Sequence, residues 1–249
     1  MRALTCLRAS GLMMFLCGLA LSAQISVLAA GSLRVAPILL DVAAPGATTT
    51  LNLRNEGDRN LHVQIRVFRW TGTQSESTLE PTADVVVSPP AATLTPGTEY
   101  VVRVVRVTRQ PIAGEESYRV LVDEIPDVVA DRANTVRFAF RYSIPVFFSA
   151  ASASAAEVSW SMTVKGNNAV LTASNSGGRR ARLANLKVID ENGKAIILRP
   201  GLFGYALGKS VTAWTLPAAG KVAPRGPLRV VAESETGAIN AVVALQPSR

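Results

Sequence analysis

Apolar and polar residues alternate along most of the chain, in short runs that turn residues separate. The run His62–Trp70 alternates over most of its length and stops at Thr71-Gly72-Thr73, and Thr50–Arg54 stops at Asn55-Glu56-Gly57-Asp58. The longest run covers Thr135–Phe148. Short strands at regular spacing, with Gly, Pro and Asn turns between them, are typical of β-sandwiches. No segment has a convincing amphipathic helical pattern, so the sequence predicts an all-β fold.

A low-complexity stretch divides this series of strands in two. Residues 150–156 contain only alanine and serine, a composition typical of a linker or hinge. A second series follows from Val158 onward. We therefore predict two β-sandwich domains, at residues 31–149 and 157–249, each of about 100 residues as is usual for such domains.

The first thirty residues have the pattern of a secretory signal. Arg2 and Arg8 are followed by the apolar run Leu12–Ala20, and small residues end the segment at Val27–Ala30. The run is short for a membrane span, and polar residues follow it. We predict cleavage near Ala29 or Ala30, export, and no stable insertion of the product in a membrane.

Composition argues against several function classes. Both cysteines lie in the signal segment, so neither a disulfide nor a Cys–His site is expected in the exported chain. The net charge of +8 comes from scattered residues, and no aromatic-plus-basic motif accompanies it, which argues against nucleic acid as a partner. The single histidine, His62, lies at the start of a strand. We expect no catalytic residue, no metal and no cofactor, although a hydrolase using a serine and His62 remains an alternative.

The longest run has two distinct faces. Period two places Val136, Phe138, Phe140, Tyr142 and Ile144 on one face. Alternation cannot distinguish an apolar face turned into the protein's own core from one offered to a partner, and both interpretations stay open on this pattern alone.

Five segments are informative through their order and spacing rather than singly. They are Val63–Trp70; Ser88-Pro89-Pro90 with Leu94-Thr95-Pro96-Gly97 and Val102-Arg103-Val104; Glu116–Pro126; Val136–Phe148; and Phe203-Gly204-Tyr205. The ordered set resembles the periplasmic chaperones of chaperone–usher pili, the PapD-like family, and especially its archaic branch. The resemblance covers the whole first domain and extends into the second.

The resemblance implies two immunoglobulin-like domains in a boomerang arrangement and a role in pilus assembly. In that family a pilin subunit lacks its last strand, and a long edge strand of the chaperone fills the resulting groove. Such strand addition satisfies the backbone of an exposed edge, while alternate side chains fill pockets. Val136, Phe138 and Phe140 match the donor positions, and Tyr142 and Ile144 continue their face. The chaperone would work in the periplasm, without turnover, and pass the subunit to an outer-membrane usher.

The resemblance also implies basic side chains that anchor the pilin's terminal carboxylate between the domains. The best-known members carry an arginine on the first strand, where this chain reads Val35–Leu40 without a base, and a lysine where it has Pro145. The archaic branch is similar to this chain in its Tyr118-Arg119 pair. Arg119 is the first candidate anchor, although a solubility charge on an edge strand explains it equally well. Arg141 is the second candidate.

A different class of function is a pilus subunit or adhesin, which would also have immunoglobulin-like domains. Such proteins usually carry a disulfide, and no cysteine is expected in the exported chain. Free chaperone could also self-associate through an exposed strand edge.

Overall fold

The computed structural model describes residues 33–72, 77–126, 138–165, 168–217 and 226–247. The predicted signal segment at residues 1–30 lies outside the described residues, and so does Val136 of the predicted donor face. The described ranges form seventeen strands. They contain no helix that is long and apolar enough to cross a bilayer.

Ten strands form the first sandwich. Their bounds are β1 (Leu33–Ala36), β2 (Leu40–Ala43), β3 (Thr48–Asn55), β4 (Leu61–Gly72), β5 (Ser77–Pro81), β6 (Val85–Ser88), β7 (Ala91–Leu94), β8 (Glu99–Arg106), β9 (Glu115–Ile125) and β10 (Arg141–Ser149). One sheet has the order β1-β3-β8-β6. The other has the order β2-β10-β9-β4-β5, with β7 paired to β4.

The core of the first sandwich follows the period-two pattern. On β3, Leu51 and Leu53 are buried while Thr50 and Arg54 are exposed, as expected for a strand with one face on the core. The facing sheet contributes Tyr118, among other buried residues of β9, to the same core. Burial of these alternate side chains removes apolar surface from water and holds the two sheets together.

Seven strands form the second sandwich. Their bounds are β11 (Val158–Lys165), β12 (Asn168–Asn175), β13 (Ala181–Ile189), β14 (Ala195–Ala206), β15 (Ser210–Pro217), β16 (Leu228–Ser234) and β17 (Gly237–Gln246). They follow the path β14-β13-β16-β17-β11-β12-β15, in which β11 and β17 are parallel. Leu171 of β12 and Leu183 of β13 belong to one core, so the two ends of the path fold over each other. The prediction of an all-β chain with two sandwiches is confirmed.

A small apolar cluster joins the sandwiches. It contains Trp70 of β4 and Phe147 of β10 from the first sandwich, and Tyr205 of β14 and Leu207 from the second. Phe147 is fully buried, and its ring centroid lies 5.9 Å from that of Trp70 and 5.7 Å from that of Tyr205. The cluster therefore places the end of β10 directly against the second sandwich.

Candidate functional site

The strand β10 has a partner on one side along its whole length and on the other side along only part of it. It pairs antiparallel with β9 from Arg141 to Ser149, and parallel with β2 only over Val146–Ser149. No strand within the described ranges pairs with Arg141–Pro145 on this second side. This half of β10 is therefore an open sheet edge, the kind of surface to which a further strand can be added.

Hydrogen-bond alternation shows which backbone groups this open edge presents. The Glu124 amide donates to the Phe140 carbonyl at 3.0 Å, so even-numbered residues of the strand turn their backbone groups toward β9. The odd-numbered residues Arg141, Ser143 and Pro145 then turn theirs toward the open side. Pro145 has no N–H, and proline in a sheet is confined to edges and bulges for this reason.

The four described residues of the predicted donor face do not share one environment. Phe138 is 78% exposed and Phe140 is 42% exposed. Tyr142 packs against the first core and donates its hydroxyl to the Leu33 carbonyl at 2.8 Å, and Ile144 is a buried member of that core. The apolar face thus begins outside the sandwich at the two phenylalanines and runs into the protein's own core, so Tyr142 and Ile144 are not free to fill a partner's pockets.

Glu124 ties the start of β10 to its neighbour. The Phe140 amide donates to the Glu124 carboxylate at 3.3 Å, instead of continuing the backbone ladder. The other carboxylate oxygen of Glu124 is buried and has no hydrogen-bond partner in the described residues. Burial raises the pKa of Glu124, and the hydrogen bond from Phe140 only partly offsets this effect.

We predict that Glu124→Gln makes the chain more stable at pH 7.5, with a smaller gain at acidic pH. Because the pKa of Glu124 is raised in the folded chain, the native protein loses stability as the pH rises through that pKa. The neutral amide of glutamine avoids this loss and can still accept the hydrogen bond from the Phe140 amide. Urea midpoints of both proteins at pH 7.5 and pH 4.5 measure the effect. A gain that grows as the pH falls would contradict the assignment.

Arg141 is already engaged by an acid on the neighbouring strand. Its guanidinium forms an ion pair with Asp123 of β9, and Arg66 of β4 donates to the same carboxylate at 2.6 Å. Burial alone would raise the pKa of Asp123, but the hydrogen bonds from Arg141 and Arg66 outweigh it and lower the pKa. Because Asp123 already engages the Arg141 guanidinium, fewer of its N–H donors are free to bind an incoming carboxylate.

Arg119 has a different environment. Its guanidinium lies 3.8 Å from the centroid of the Trp70 ring, and one N–H donates to the Ser143 carbonyl of β10 at 3.2 Å. No carboxylate of the described residues forms an ion pair with it. Burial lowers the pKa of Arg119, which the nearby Tyr205 partly offsets. Arg119 is thus a half-buried cation beside the open edge and lacks a counter-ion among these residues.

A cavity of about 530 Å³ adjoins Arg119 between the two sandwiches. Trp70 and Arg119 line it from the first sandwich, while Phe203, Trp214 and Thr212 are among the residues that line it from the second. The Thr212 hydroxyl oxygen is buried and has no hydrogen-bond partner in the described residues. The open edge of β10 and this cavity therefore meet at Arg119.

Arg180 joins the sandwiches next to this region. From the second sandwich it bonds to Asp41 at 2.7 Å and to Glu115 at 2.6 Å in the first, and to Glu235 at 3.3 Å in its own. Its guanidinium also lies 3.8 Å from the centroid of the Phe147 ring. Burial alone would lower its pKa, but the hydrogen bond to Asp41 and the three negative charges raise it.

The structure brings Arg119 to the open edge, while the sequence pattern missed the cavity, Glu124 and Arg180. His62 of the hydrolase alternative is exposed on β4, where its Nδ1 lies 2.9 Å from the Thr93 hydroxyl, and it does not line the cavity. No group of three or more His, Cys, Asp or Glu with a spacing suited to a metal occurs in the part of the chain that the structure describes.

Comparison with known proteins gives one matching family model and a shared fold. Residues 32–153 match the family model described as "Pili and flagellar-assembly chaperone, PapD N-terminal domain". A search of curated protein sequences gives no match.

Solved structures of chaperones have the same fold as this chain. One is the CsuC–CsuE chaperone–tip adhesion subunit pre-assembly complex from archaic chaperone–usher Csu pili of Acinetobacter baumannii, with 23% identity, a TM-score of 0.66, and coverage of 86% of this chain and 99% of that one. Another is the Salmonella enterica SafA pilin in complex with the SafB chaperone, with 19% identity, a TM-score of 0.59, and coverage of 85% and 96%. The E. coli chaperone DraB has 20% identity, a TM-score of 0.55, and coverage of 86% and 97%. The prediction of two immunoglobulin-like sandwiches is confirmed.

Proposed function

We propose that this chain, whose residues 32–153 match the family model of pili and flagellar-assembly chaperones, binds pilin subunits in the periplasm by donor-strand complementation and delivers them to an outer-membrane usher. It does so without turnover and without a cofactor. The predicted secretory signal supports the location, and the pilin and tip-subunit complexes of two structural relatives support the class of partner.

One observation carries the proposal: β10 has an open side along Arg141–Pro145, directly after two exposed phenylalanines. A subunit that lacks a strand has an unpaired edge and an open apolar groove. Pairing with the backbone of Arg141 and Ser143 satisfies the edge, while Phe138 and Phe140 fill the groove. Val136 would extend this face by one further position, whereas Tyr142 and Ile144 support the strand from within the chaperone's core.

Arg119 serves as the carboxylate anchor in this proposal. It lies beside the last open residue of β10, in register with Pro145, and its cation lacks an acidic partner in the described residues. A pilin whose C-terminus reaches Arg119 while its body contacts Phe138 must run parallel to β10. The charged hydrogen bond then sets the register of the added strand.

Co-expression with the pilin encoded beside its gene tests the proposal. A soluble 1:1 complex that resists aggregation is the expected product. Polymers containing this chain would instead indicate a pilus subunit, and hydrolysis of an ester probe that depends on His62 would indicate a hydrolase. Either of these results, without a binary complex, contradicts the proposal.

We predict that Arg119→Ala weakens pilin binding by about 10- to 100-fold, because a hydrogen bond to a charged group contributes about 1.5–3 kcal/mol. Arg141→Ala is the matched control and should change affinity by less than about fivefold, since Asp123 already engages Arg141. Calorimetric titration of both variants with refolded pilin measures the difference. Equal losses in the two variants would remove Arg119 from its assigned role.

A further inference from the structure

The alanine–serine segment that joins the sandwiches is held along its length by hydrogen bonds. The Ala150 amide donates to the Gly114 carbonyl of the first sandwich at 2.8 Å, and the Ala153 amide donates to the Ala150 carbonyl at 3.1 Å. Further along, the Ser154 hydroxyl accepts from the Gly178 amide of the second sandwich at 2.8 Å. The segment therefore lies against both sandwiches, unlike the flexible linker that its composition alone would suggest.

The segment docks on the corner between β12 and β13, which Asn175 shapes. The Asn175 side chain accepts from the Gly177 amide at 3.0 Å and donates to the Arg179 carbonyl at 2.8 Å. The same side chain accepts from the Glu157 amide at 3.0 Å, and the Glu157 carbonyl accepts from the Ser176 amide at 2.8 Å. One asparagine thus builds the corner and also ties the end of the segment to it.

The first sandwich has a corner with the same hydrogen bonds but with only one glycine. Asn55 accepts from the Gly57 amide at 2.9 Å and donates to the Arg59 carbonyl at 2.6 Å. The exposed Asp58 stands where the second corner has Gly178. A corner of this kind therefore does not need glycine at that position, and the reason for Gly178 must lie in what packs against it.

Close approaches of the backbone leave no room for side chains at this corner. A Cβ atom at Gly177 would lie 2.7 Å from the Glu157 nitrogen and 2.8 Å from the Ala156 Cα, which is well inside normal packing distance. At Gly208 a Cβ atom would lie 2.6 Å from the Gly178 carbonyl oxygen. Neither Gly177 nor Gly208 has a positive φ, so close contact rather than backbone conformation requires glycine at both positions.

The first sandwich reaches the same corner through Gly114. Its φ is 81°, and a Cβ atom there would lie 3.0 Å from the Gly178 carbonyl oxygen. The carboxylate of the next residue, Glu115, accepts from the Arg180 amide at 3.0 Å, and Glu115 is in register with Ser149 at the end of β10. The corner of the second sandwich is therefore coupled directly to the strand that has the open edge.

The glycine junction consists of Gly114, Gly177, Gly178 and Gly208. We propose that it is a positioning element that holds the open side of β10 at one fixed angle to the second sandwich. The inference rests on the proposed function, because a subunit that pairs with Arg141–Pro145 would lie beside the place where β10 meets the second sandwich. When the angle is fixed in advance, capture does not have to order one sandwich against the other, which lowers the cost of binding.

Distances between two spin labels, one on each sandwich, test this proposal. Thr50→Cys and Lys187→Cys place the labels at exposed positions of β3 and β13. We expect a narrow distribution of distances in the free chain that stays the same when pilin binds. Gly177→Ala should shift and broaden this distribution and weaken pilin binding by at least about tenfold. A broad distribution in the free chain that narrows on binding would overturn the inference, because the partner would then set the angle.

Gly193→Ala is the matched control in the second sandwich. Gly193 has a φ of 77° and no atom within 4 Å of a Cβ, so alanine strains its turn without touching the junction. This control should lower the urea midpoint and leave the distances and the pilin affinity unchanged. If Gly177→Ala does not fold, the milder Gly178→Ala takes its place, since its Cβ would lie 3.1 Å from the Ser154 nitrogen. Unchanged distances or unchanged pilin affinity in a folded junction variant would contradict the inference, and so would equal effects in Gly193→Ala.

The result for the junction can be distinguished from the result for the proposed function. Pilin capture by a chain whose label distances change on binding would refute only the junction. A chain that captures no pilin would refute the proposed function, and a shift caused by Gly177→Ala in the free chain would still show that the junction sets the angle between the sandwiches.

Discussion

Replacing Phe138 and Phe140 together with aspartate will weaken pilin capture by at least about 100-fold and leave the chaperone folded. Each phenylalanine that enters a partner's groove contributes about 1.5–3 kcal/mol, and aspartate adds the cost of burying a charge. Both side chains are exposed in the free protein, so their replacement removes nothing from its core.

The matched control for this variant replaces Val86 and Val101 with aspartate. These residues are 42% and 55% exposed on the other sheet of the same sandwich, so the change in charge is identical and the open side of β10 is not affected. Affinity is measured by titration with refolded pilin, and folding by urea unfolding. Equal losses of affinity in both double variants would show that charge, rather than the phenylalanines, is responsible.

The second large effect concerns the junction of the sandwiches. Arg180→Met should lower the free energy of unfolding by about 3–5 kcal/mol, the usual cost of removing one partner of a buried ion pair. The Glu115 side chain is 1% exposed and would keep its charge without the guanidinium. Phe147 would also lose the cation that lies on its ring.

Two further variants show whether the unpaired charge is the cause. Adding Glu115→Gln to Arg180→Met should recover much of the stability, because the amide is neutral and can still accept from the Ser149 hydroxyl. Arg34→Met breaks an exposed ion pair with Glu56 and should cost less than about 1 kcal/mol. Urea denaturation of all three proteins provides the comparison. A loss for Arg180→Met as small as that for Arg34→Met would contradict this account.

The period-two pattern was sufficient to predict the strands and the two sandwiches, because alternation directly reflects which side chains face a core. It could not assign the face from Phe138 to Ile144. Phe138 and Ile144 have the same parity, yet one is 78% exposed and the other is 5% exposed. Only the pairing with β2, which stops at Val146, distinguishes the open half of the strand from the closed half.

The junction between the sandwiches could not be predicted from local sequence. Arg180 meets Glu115 and Asp41 across separations of 65 and 139 residues, and nothing beside it in the chain indicates a buried cation. The cavity has the same origin, since Arg119 and Trp214 become neighbours only through the arrangement of two separate sandwiches. The family resemblance suggested Arg119 as a carboxylate anchor. The position of its guanidinium over the Trp70 ring depends on the packing of β9 against β4, which the sequence pattern does not show.

Residue-resolved amide exchange of the free chain and of its complex with pilin tests the open edge most directly. In the free chain the amides of Arg141 and Ser143 face the open side, whereas those of Tyr142 and Ile144 face β9 and serve as an internal control. Bound pilin should slow exchange at Arg141 and Ser143 by at least about 100-fold and leave Tyr142 and Ile144 nearly unchanged. Rapid exchange at Arg141 and Ser143 within a stable complex would mean that no foreign strand pairs with β10.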